Sequence, residues 1–338
     1  MDLTTHYLGL TLPHPLMPGA SPMVDDLDTV RRLEDAGAAA IVMHSLFEEQ
    51  LAGEGPASLR HVDAHAESFP EASSYLPSPV EYRLGPHAYL EQIQRIKAAV
   101  RLPVIASLNG VTEGGWLRYA GLLQQAGADA LELNVYYLAT DPDETATTVE
   151  TRAVSMVAAV KRAVGIPVAV KLSPFFSSFA GFARCLEEAG ADGLVLFNRF
   201  YQADIDVESL ELMRSLHLSD PSELLLRLRW LAILWGRVNT DLAVTGGVHA
   251  ASDAIKAVMA GASAVQMVSA LLKNGPEHLG VVLAAMREWM EEHEYDSLAQ
   301  MKGSMSLRRC PDPAAYERAN YVQILQGWAA PAEDRSWP

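Results

Sequence analysis

Cysteine is almost missing from this chain. Cys185 and Cys310 are its two copies, and neither has a second thiol or a histidine at metal-ligand spacing. A disulfide framework, a zinc site and an iron–sulfur centre are therefore not expected. Cys185, inside the helical phrase FARCLEEAG, reads as a core thiol. Basic residues are scarce too: 26 Lys and Arg stand against 42 Asp and Glu, a formal net charge of −16. That balance excludes the clustered positive surface which nucleic acid or an anionic membrane requires. No apolar run reaches the roughly 18 residues of a membrane span, and the opening MDLTTHYLGLTLPHPL lacks a basic segment followed by a long apolar core. The chain is expected to be cytoplasmic.

Apolar residues are plentiful, at 49% of 338, enough to core either one large α/β barrel or two ordinary domains. A repeated phrase chooses between them. LEDAGAAAIVM around Gly37 recurs as LQQAGADALEL around Gly127, LEEAGADGLVL around Gly190 and VMAGASAVQM around Gly261. Each is an amphipathic helix ending at Ala-Gly, with the Gly as a left-handed cap before a buried strand. Further strands open at LPVIASLN, IPVAVKLS and DLAVTGG. The expected set is Pro15–Ala20, Ala39–Ser45, Pro103–Asn109, Ala130–Val135, Pro167–Ser173, Gly193–Asn198, Leu242–Thr245 and Ala264–Ser269. Eight near-continuous apolar strands alternating with helices predict an α/β fold, a (β/α)8 TIM barrel. The whole chain, 1–338, is expected to be one barrel domain: an N-terminal hairpin over 1–14, the barrel strands over 15–271, and a last helix with a C-terminal helical cap over 272–338. A long loop excursion, Leu46–Gly85, follows the second strand, and a second irregular connection runs over Arg199–Glu223.

Barrel active sites form where the strands end. The residues expected there are Ala20 and Ser21, His44 and Ser45, Ser107 and Asn109, Asn134 with Tyr136 and Tyr137, Lys171, Asn198, Gly246 with Gly247, and Ser269. The set is polar and poor in carboxylates, without the paired acids of a glycosidase or the His and Asp clusters of a metallohydrolase. Gly246-Gly247 at a strand end lets backbone N–H groups approach a phosphate, with Ser269 supplying a hydroxyl on the next strand; a tight turn is the plainer reading. Lys171, inside the apolar run PVAVKLSP, needs a partner: an electron-rich ring, a Schiff-base carbonyl, or a structural counter-ion. His44 reads either as a ligand contact or as a solvated strand end, and Tyr136 and Tyr137 as wall and rim packing. Together these residues suit a phosphorylated, ring-bearing cofactor.

Several motifs in order then resemble the dihydroorotate dehydrogenase family of FMN-containing barrels, soluble class. They are GLTLPHPLMPGASP, SLNG at Ser107–Gly110, LELN at Leu131–Asn134, VKLSP at Val170–Pro174, LFN at Leu196–Asn198, TGGV at Thr245–Val248 and AGASAVQMVSAL at Ala260–Leu271. The resemblance implies pyrimidine-type metabolism, a homodimer, and FMN as cofactor. Its phosphate would lie on Gly246, Gly247 and Ser269 and its ring against Ala20, Ser21 and Lys171, with Asn134 and Asn198 bordering flavin and substrate. It also exposes departures. Tyr137 stands where the family carries its catalytic Cys or Ser, Ala139 replaces a substrate asparagine, His44 replaces a lysine, and Tyr82–Pro86 keeps a remnant of a substrate-binding run. The catalytic candidates are thus Tyr137, Tyr136 and His44. A phenol, with an ordinary pKa of about 10, acts more readily as an acid than as a base at neutral pH. The expected function is an FMN-dependent oxidoreductase exchanging hydride between a substrate carbon and flavin N5, on a small molecule other than dihydroorotate. The alternatives are a flavin-binding protein without turnover and a non-flavin barrel lyase or aldolase using Lys171.

Overall fold

The computed structural model describes residues 1–47, 86–109, 113–200, 202–213 and 216–327. The excursion read over Leu46–Gly85, with the Tyr82–Pro86 run at its end, lies mostly outside the described residues. The chain opens with a hairpin of β1 (Thr5–Tyr7) and β2 (Leu10–Leu12), and the first barrel strand is β3 (Leu16–Pro18). There follow α1 (Leu27–Asp35), β4 (Ile41–Phe47), α2 (Pro86–Ala99), β5 (Val104–Asn109), α3 (Glu113–Gln125), β6 (Ala130–Asn134), α4 (Ala146–Ala163), β7 (Val168–Leu172), α5 (Phe179–Glu188) and β8 (Gly193–Leu196). A small hairpin, β9 (Asp204–Asp206) and β10 (Glu211–Met213), precedes α6 (Leu224–Leu234), β11 (Asp241–Thr245), α7 (Ala251–Ala260) and β12 (Ala264–Met267). The chain continues through α8 (Ser269–Asn274), α9 (His278–Glu292), α10 (Leu298–Met301) and α11 (Ala319–Gln326). The irregular connection expected over Arg199–Glu223 therefore contains a two-stranded hairpin.

Eight strands form one parallel sheet in the order β3-β12-β11-β8-β7-β6-β5-β4. Its two edges meet where the Ala39 N–H donates to the Leu16 carbonyl at 3.0 Å. The fold is the (β/α)8 barrel. The repeated Ala-Gly phrase accounts for much of it. Gly37, Gly127, Gly190 and Gly261 all have positive φ, and the residue after each donates its N–H to a carbonyl five positions back, as Ala38 does to Leu33 and Ala191 to Leu186. This is the Schellman arrangement, which satisfies carbonyls the helix end would leave open. Two copies of the phrase carry an Asp that caps a neighbouring strand. Asp129 accepts from the Val104 N–H at 2.7 Å and Asp192 from the Val168 N–H at 2.7 Å. Each ties a strand start to its neighbour, while Lys97 and Lys161 pair with the same carboxylates.

Strand alternation sends one set of side chains outward against the helices and the other inward. The inward floor is built from Met17, Val42, Ile105, Ala130, Ala169, Val195, Ala243 and Ala264. Small residues dominate because the hairpin fills the space: Tyr7, Leu8 and Leu12 are buried among them. At Gly193 a side chain would come within 2.8 Å of Leu8 Cδ2. The Leu8 N–H donates to the Asp241 carboxylate at 2.8 Å, fixing the plug to β11. Cys185, expected in the core, is exposed. Helix α5 turns Phe179, Phe182, Ala183 and Leu186 inward instead, and position 185 falls on the opposite face of the 3.6-residue period. Among the described residues no helix is long and apolar enough to cross a membrane.

His14, at the closed end, gives the fold a pH dependence. It is buried; its Nδ1 accepts from the Leu16 N–H at 3.2 Å while its Nε2 bonds the Gly37 carbonyl at 2.6 Å. Only the neutral ring with hydrogen on Nε2 serves both partners. Burial pulls its pKa down to about 4, outweighing the Gly37 carbonyl. An unfolded histidine titrates near about 6.5. Between those values the unfolded chain binds a proton that the folded chain does not, so stability falls as pH drops through this window. By pH 4 the loss is about 3 kcal/mol. In urea unfolding followed at pH 7 and pH 4, His14→Gln should lose about 3 kcal/mol less over that interval than the wild type. Equal losses would show that His14 is not held neutral in the fold.

Candidate active site

Above the apolar floor the inward positions of four strands turn polar two residues further along. Ala130 gives way to Glu132, Ala169 to Lys171, Ala264 to Gln266 and Ile105 to Ser107, and these four polar residues are all buried. Glu132 has no exposed surface; its carboxylate accepts from Lys171 Nζ at 3.3 Å and, across the barrel, from Gln266 Nε2 at 2.7 Å. Lys171 therefore has a structural counter-ion within the barrel, one of the three partners open to it in the sequence. Glu132 and Gln266 are not among the residues the sequence singles out, although each interrupts an apolar strand as Lys171 does and carries the same signal.

At the rim, four expected residues meet in one hydrogen-bonded chain. Ser107 Oγ and Ser45 Oγ are 2.9 Å apart, Asn134 Nδ2 reaches Ser45 Oγ at 3.5 Å, and Asn198 Nδ2 donates to Asn134 Oδ1 at 2.8 Å. Ser45 reaches this chain because β4 shifts register between Val42 and Ser45. His44 sits in that irregularity and goes elsewhere. Its Nδ1 lies 2.6 Å from Asp25 Oδ1, misaligned for a hydrogen bond, and its ring meets Tyr89 edge-on at 4.8 Å. The Tyr89 hydroxyl donates to the His44 carbonyl at 2.8 Å. Asn109 is buried at the end of β5, and Ala20 packs against the interior cluster. Ser21 is buried with its hydroxyl unpartnered among the described residues.

Gly246 and Gly247 form the expected strand-end turn, both with positive φ, +88° and +80°. Added side chains would strike Arg227 Nη2 at 2.8 Å and the Leu224 backbone N at 2.6 Å, so glycine is required at both positions. Two residues invisible to sequence reasoning complete this corner. Ser219, from the connection before α6, brings its hydroxyl within 2.7 Å of Ser269 Oγ and 3.3 Å of the Gly247 N. Arg227, on α6, is buried. It donates to the carbonyls of Thr245 at 2.5 Å and Glu223 at 2.6 Å. Burial pulls its pKa down, and the nearby Glu223 carboxylate offsets part of that shift.

Tyr137 is placed outward. Its hydroxyl donates to Glu144 Oε2 at 2.8 Å, Arg152 lies over its ring at 4.2 Å, and Arg152 Nη2 bonds Glu144 Oε1 at 2.9 Å. Tyr136 stays nearer the rim, its N–H donating to the Asn134 carbonyl at 3.1 Å, with its ring 6.2 Å from that of Phe200. Both tyrosines line a cavity of about 640 Å³ beside the barrel mouth. Among the described residues no cluster could hold a metal ion.

The family model of dihydroorotate dehydrogenase matches residues 81–290, well over half of the chain. The chain belongs to the dihydroorotate dehydrogenase family. Among curated relatives, the catalytic subunit of dihydroorotate dehydrogenase B (NAD(+)) from Thermoplasma acidophilum is 27% identical over 89% of this chain and 98% of its own. The corresponding subunit from Methanocella arvoryzae is 30% identical over 81% and 88%. A protein of Aeropyrum pernix, provisionally named dihydroorotate dehydrogenase A (fumarate), is 31% identical over 60% and 67%. Family membership makes the chain a dihydroorotate dehydrogenase-like oxidoreductase.

The buried pair gives a direct test of the layer beneath the mouth. Lys171→Met strands the Glu132 carboxylate with Gln266 as its remaining partner, and should cost about 3–5 kcal/mol in urea unfolding. Adding Glu132→Gln removes the unpaired charge and should recover most of that loss. A double variant no more stable than the single would show that the pair does not interact.

Proposed function

We propose that this protein is an FMN-dependent oxidoreductase of the dihydroorotate dehydrogenase type whose substrate is a small molecule other than dihydroorotate. The observation that carries the cofactor is the corner at β11 and β12. Two glycines there leave no room for side chains, the Ser219 and Ser269 hydroxyls meet each other beside the Gly247 N–H, and the buried Arg227 guanidinium lies against Gly246. Such a corner suits a phosphate. The unpartnered Ser21 hydroxyl, buried near the end of β3, is a second point at which a bound ring would find a donor or acceptor. Gly246, Gly247, Ser269 and Ser219 would hold the phosphate; Ala20, Ser21, Asn109 and Lys171 would flank the ring. Ser45, Ser107, Asn134 and Asn198 would divide their donors and acceptors between ring and substrate. When bound, FMN supplies hydride exchange with a substrate carbon.

The chain's own part is to position that carbon and to move a proton. Tyr137 holds the position that the family resemblance gives to the base, and its hydroxyl donates to the Glu144 carboxylate, which would accept or return its proton. Tyr136, two positions beyond Asn134, is the second candidate phenol, and His44, with Nδ1 2.6 Å from Asp25 Oδ1, is the third candidate. Dihydroorotate fits poorly because Ala139 and His44 remove side chains that the resemblance assigns to it. Each buried polar group left unpaired costs about 1–3 kcal/mol. A homodimer is proposed on the resemblance alone.

The purified protein should release FMN on extraction, and anaerobic mixing with dihydroorotate should leave the flavin oxidised over the time in which an efficient relative would reduce it. Tyr137→Cys should not restore that reduction, since Ala139 and His44 remain. Finding FAD, or no flavin after reconstitution, overturns the cofactor; rapid reduction by dihydroorotate overturns the substrate.

A further inference from the structure

The cavity beside the mouth is larger than a single ring requires. At about 640 Å³ it falls within the range of about 300–1,000 Å³ that encloses a drug-sized ligand. It is continuous with the proposed active site along the chain: Val135 and Tyr136 directly follow the rim residue Asn134, and Phe200 lies two positions beyond Asn198. One wall is an aromatic series. Tyr136 packs at 6.2 Å from Phe200, and Phe200 meets Phe175 edge-on at 4.8 Å. Phe175 is 68% exposed, an apolar ring of the lining left largely open to solvent.

The charges inside do not cancel. Glu144 spends one oxygen on Arg152 and the other on Tyr137, and Arg152 has its face on the Tyr137 ring, so that group is neutral as a unit. Glu150 also lines the cavity and has no hydrogen-bond or ion-pair partner among the described residues. The described lining therefore combines aromatic faces with an uncompensated carboxylate, the chemistry that recognises a cation on a flat apolar body.

We infer that this cavity is the outer substrate subsite and that it takes a flat, apolar group bearing a positive charge, such as an arylalkylamine. Phe175 and Phe200 would hold the apolar body and Glu150 the cationic nitrogen. The inference rests on the oxidoreductase reading for the word substrate, but the binding chemistry belongs to the cavity itself.

A matched set of probes separates charge from shape: 2-naphthylmethylamine, 2-naphthylmethanol and 2-naphthoate, titrated calorimetrically into the full-length protein at pH 7. The amine should bind about tenfold more tightly than the carboxylate, about 1.4 kcal/mol, because Glu150 attracts the ammonium and repels the carboxylate. Glu150→Gln should abolish the preference for the amine over the alcohol, and Phe175→Ala should weaken all three probes together. Both residues are partly or largely solvent-exposed, and matching far-ultraviolet dichroism and melting curves would establish that the variants fold. Equal or tighter binding of the carboxylate, no binding by any probe, or an unchanged preference in Glu150→Gln would each overturn the inference. Flavin content, read from visible absorbance of the same samples after reconstitution, reports on the cofactor separately: amine selectivity without flavin would overturn the cofactor assignment and leave the cavity's binding chemistry standing.

Discussion

The charge of Lys171 is the constraint around which the barrel interior is arranged. An ammonium buried among apolar strands has to be met by an anion, because leaving it unpaired out of water costs several kcal/mol. Glu132 meets it, and Gln266 from the far side of the barrel holds the second carboxylate oxygen. This ties β6, β7 and β12 together at one height. It also decides what lies above and below. Below, the Tyr7–Leu12 hairpin fills the floor with apolar bulk, which is why the strands there carry alanine and glycine. Above, a lysine already balanced by a carboxylate contributes little net field, and the rim is left to neutral hydroxyls and amides. Such a rim recognises a ligand by the direction of its hydrogen bonds more than by its charge.

The fold was legible because its signals are local. Each Ala-Gly phrase specifies a helix end through hydrogen bonds within six residues, and the Asp of two copies caps the start of an adjacent strand. The eight strand positions read from the sequence agree with the sheet to within two residues at either end. The site was legible in part. Ser45, Ser107, Asn134 and Asn198 were recognisable as strand-end polar residues and do form one chain. What could not be read depends on partners far apart in sequence: Gln266 and Glu132 are separated by 134 positions, and Ser219 reaches Ser269 across 50. The β4 irregularity was hidden for a different reason. A strict period of two places His44 on the inward face, whereas the register shift gives that place to Ser45 and turns His44 toward Asp25 and Tyr89. Cys185 failed as a core residue because being inside a helical pattern does not say which face a position occupies.

Tyr137 links the two halves of the functional argument. A cysteine or serine at this position is small and can face the reacting carbon; a tyrosine needs space for its ring and a partner for its hydroxyl. Both are supplied by the following loop and helix, through Glu144 and Arg152. The ring that departs from the family's chemistry is therefore also a wall of the side cavity. Replacing Tyr137 alone by the small residue would remove that wall and leave Glu144 with Arg152 as its partner, changing the shape and charge of the cavity along with the proposed proton carrier. On the proposed reading, the reaction and the specificity are coupled through this one side chain, so neither would be altered at this position without the other.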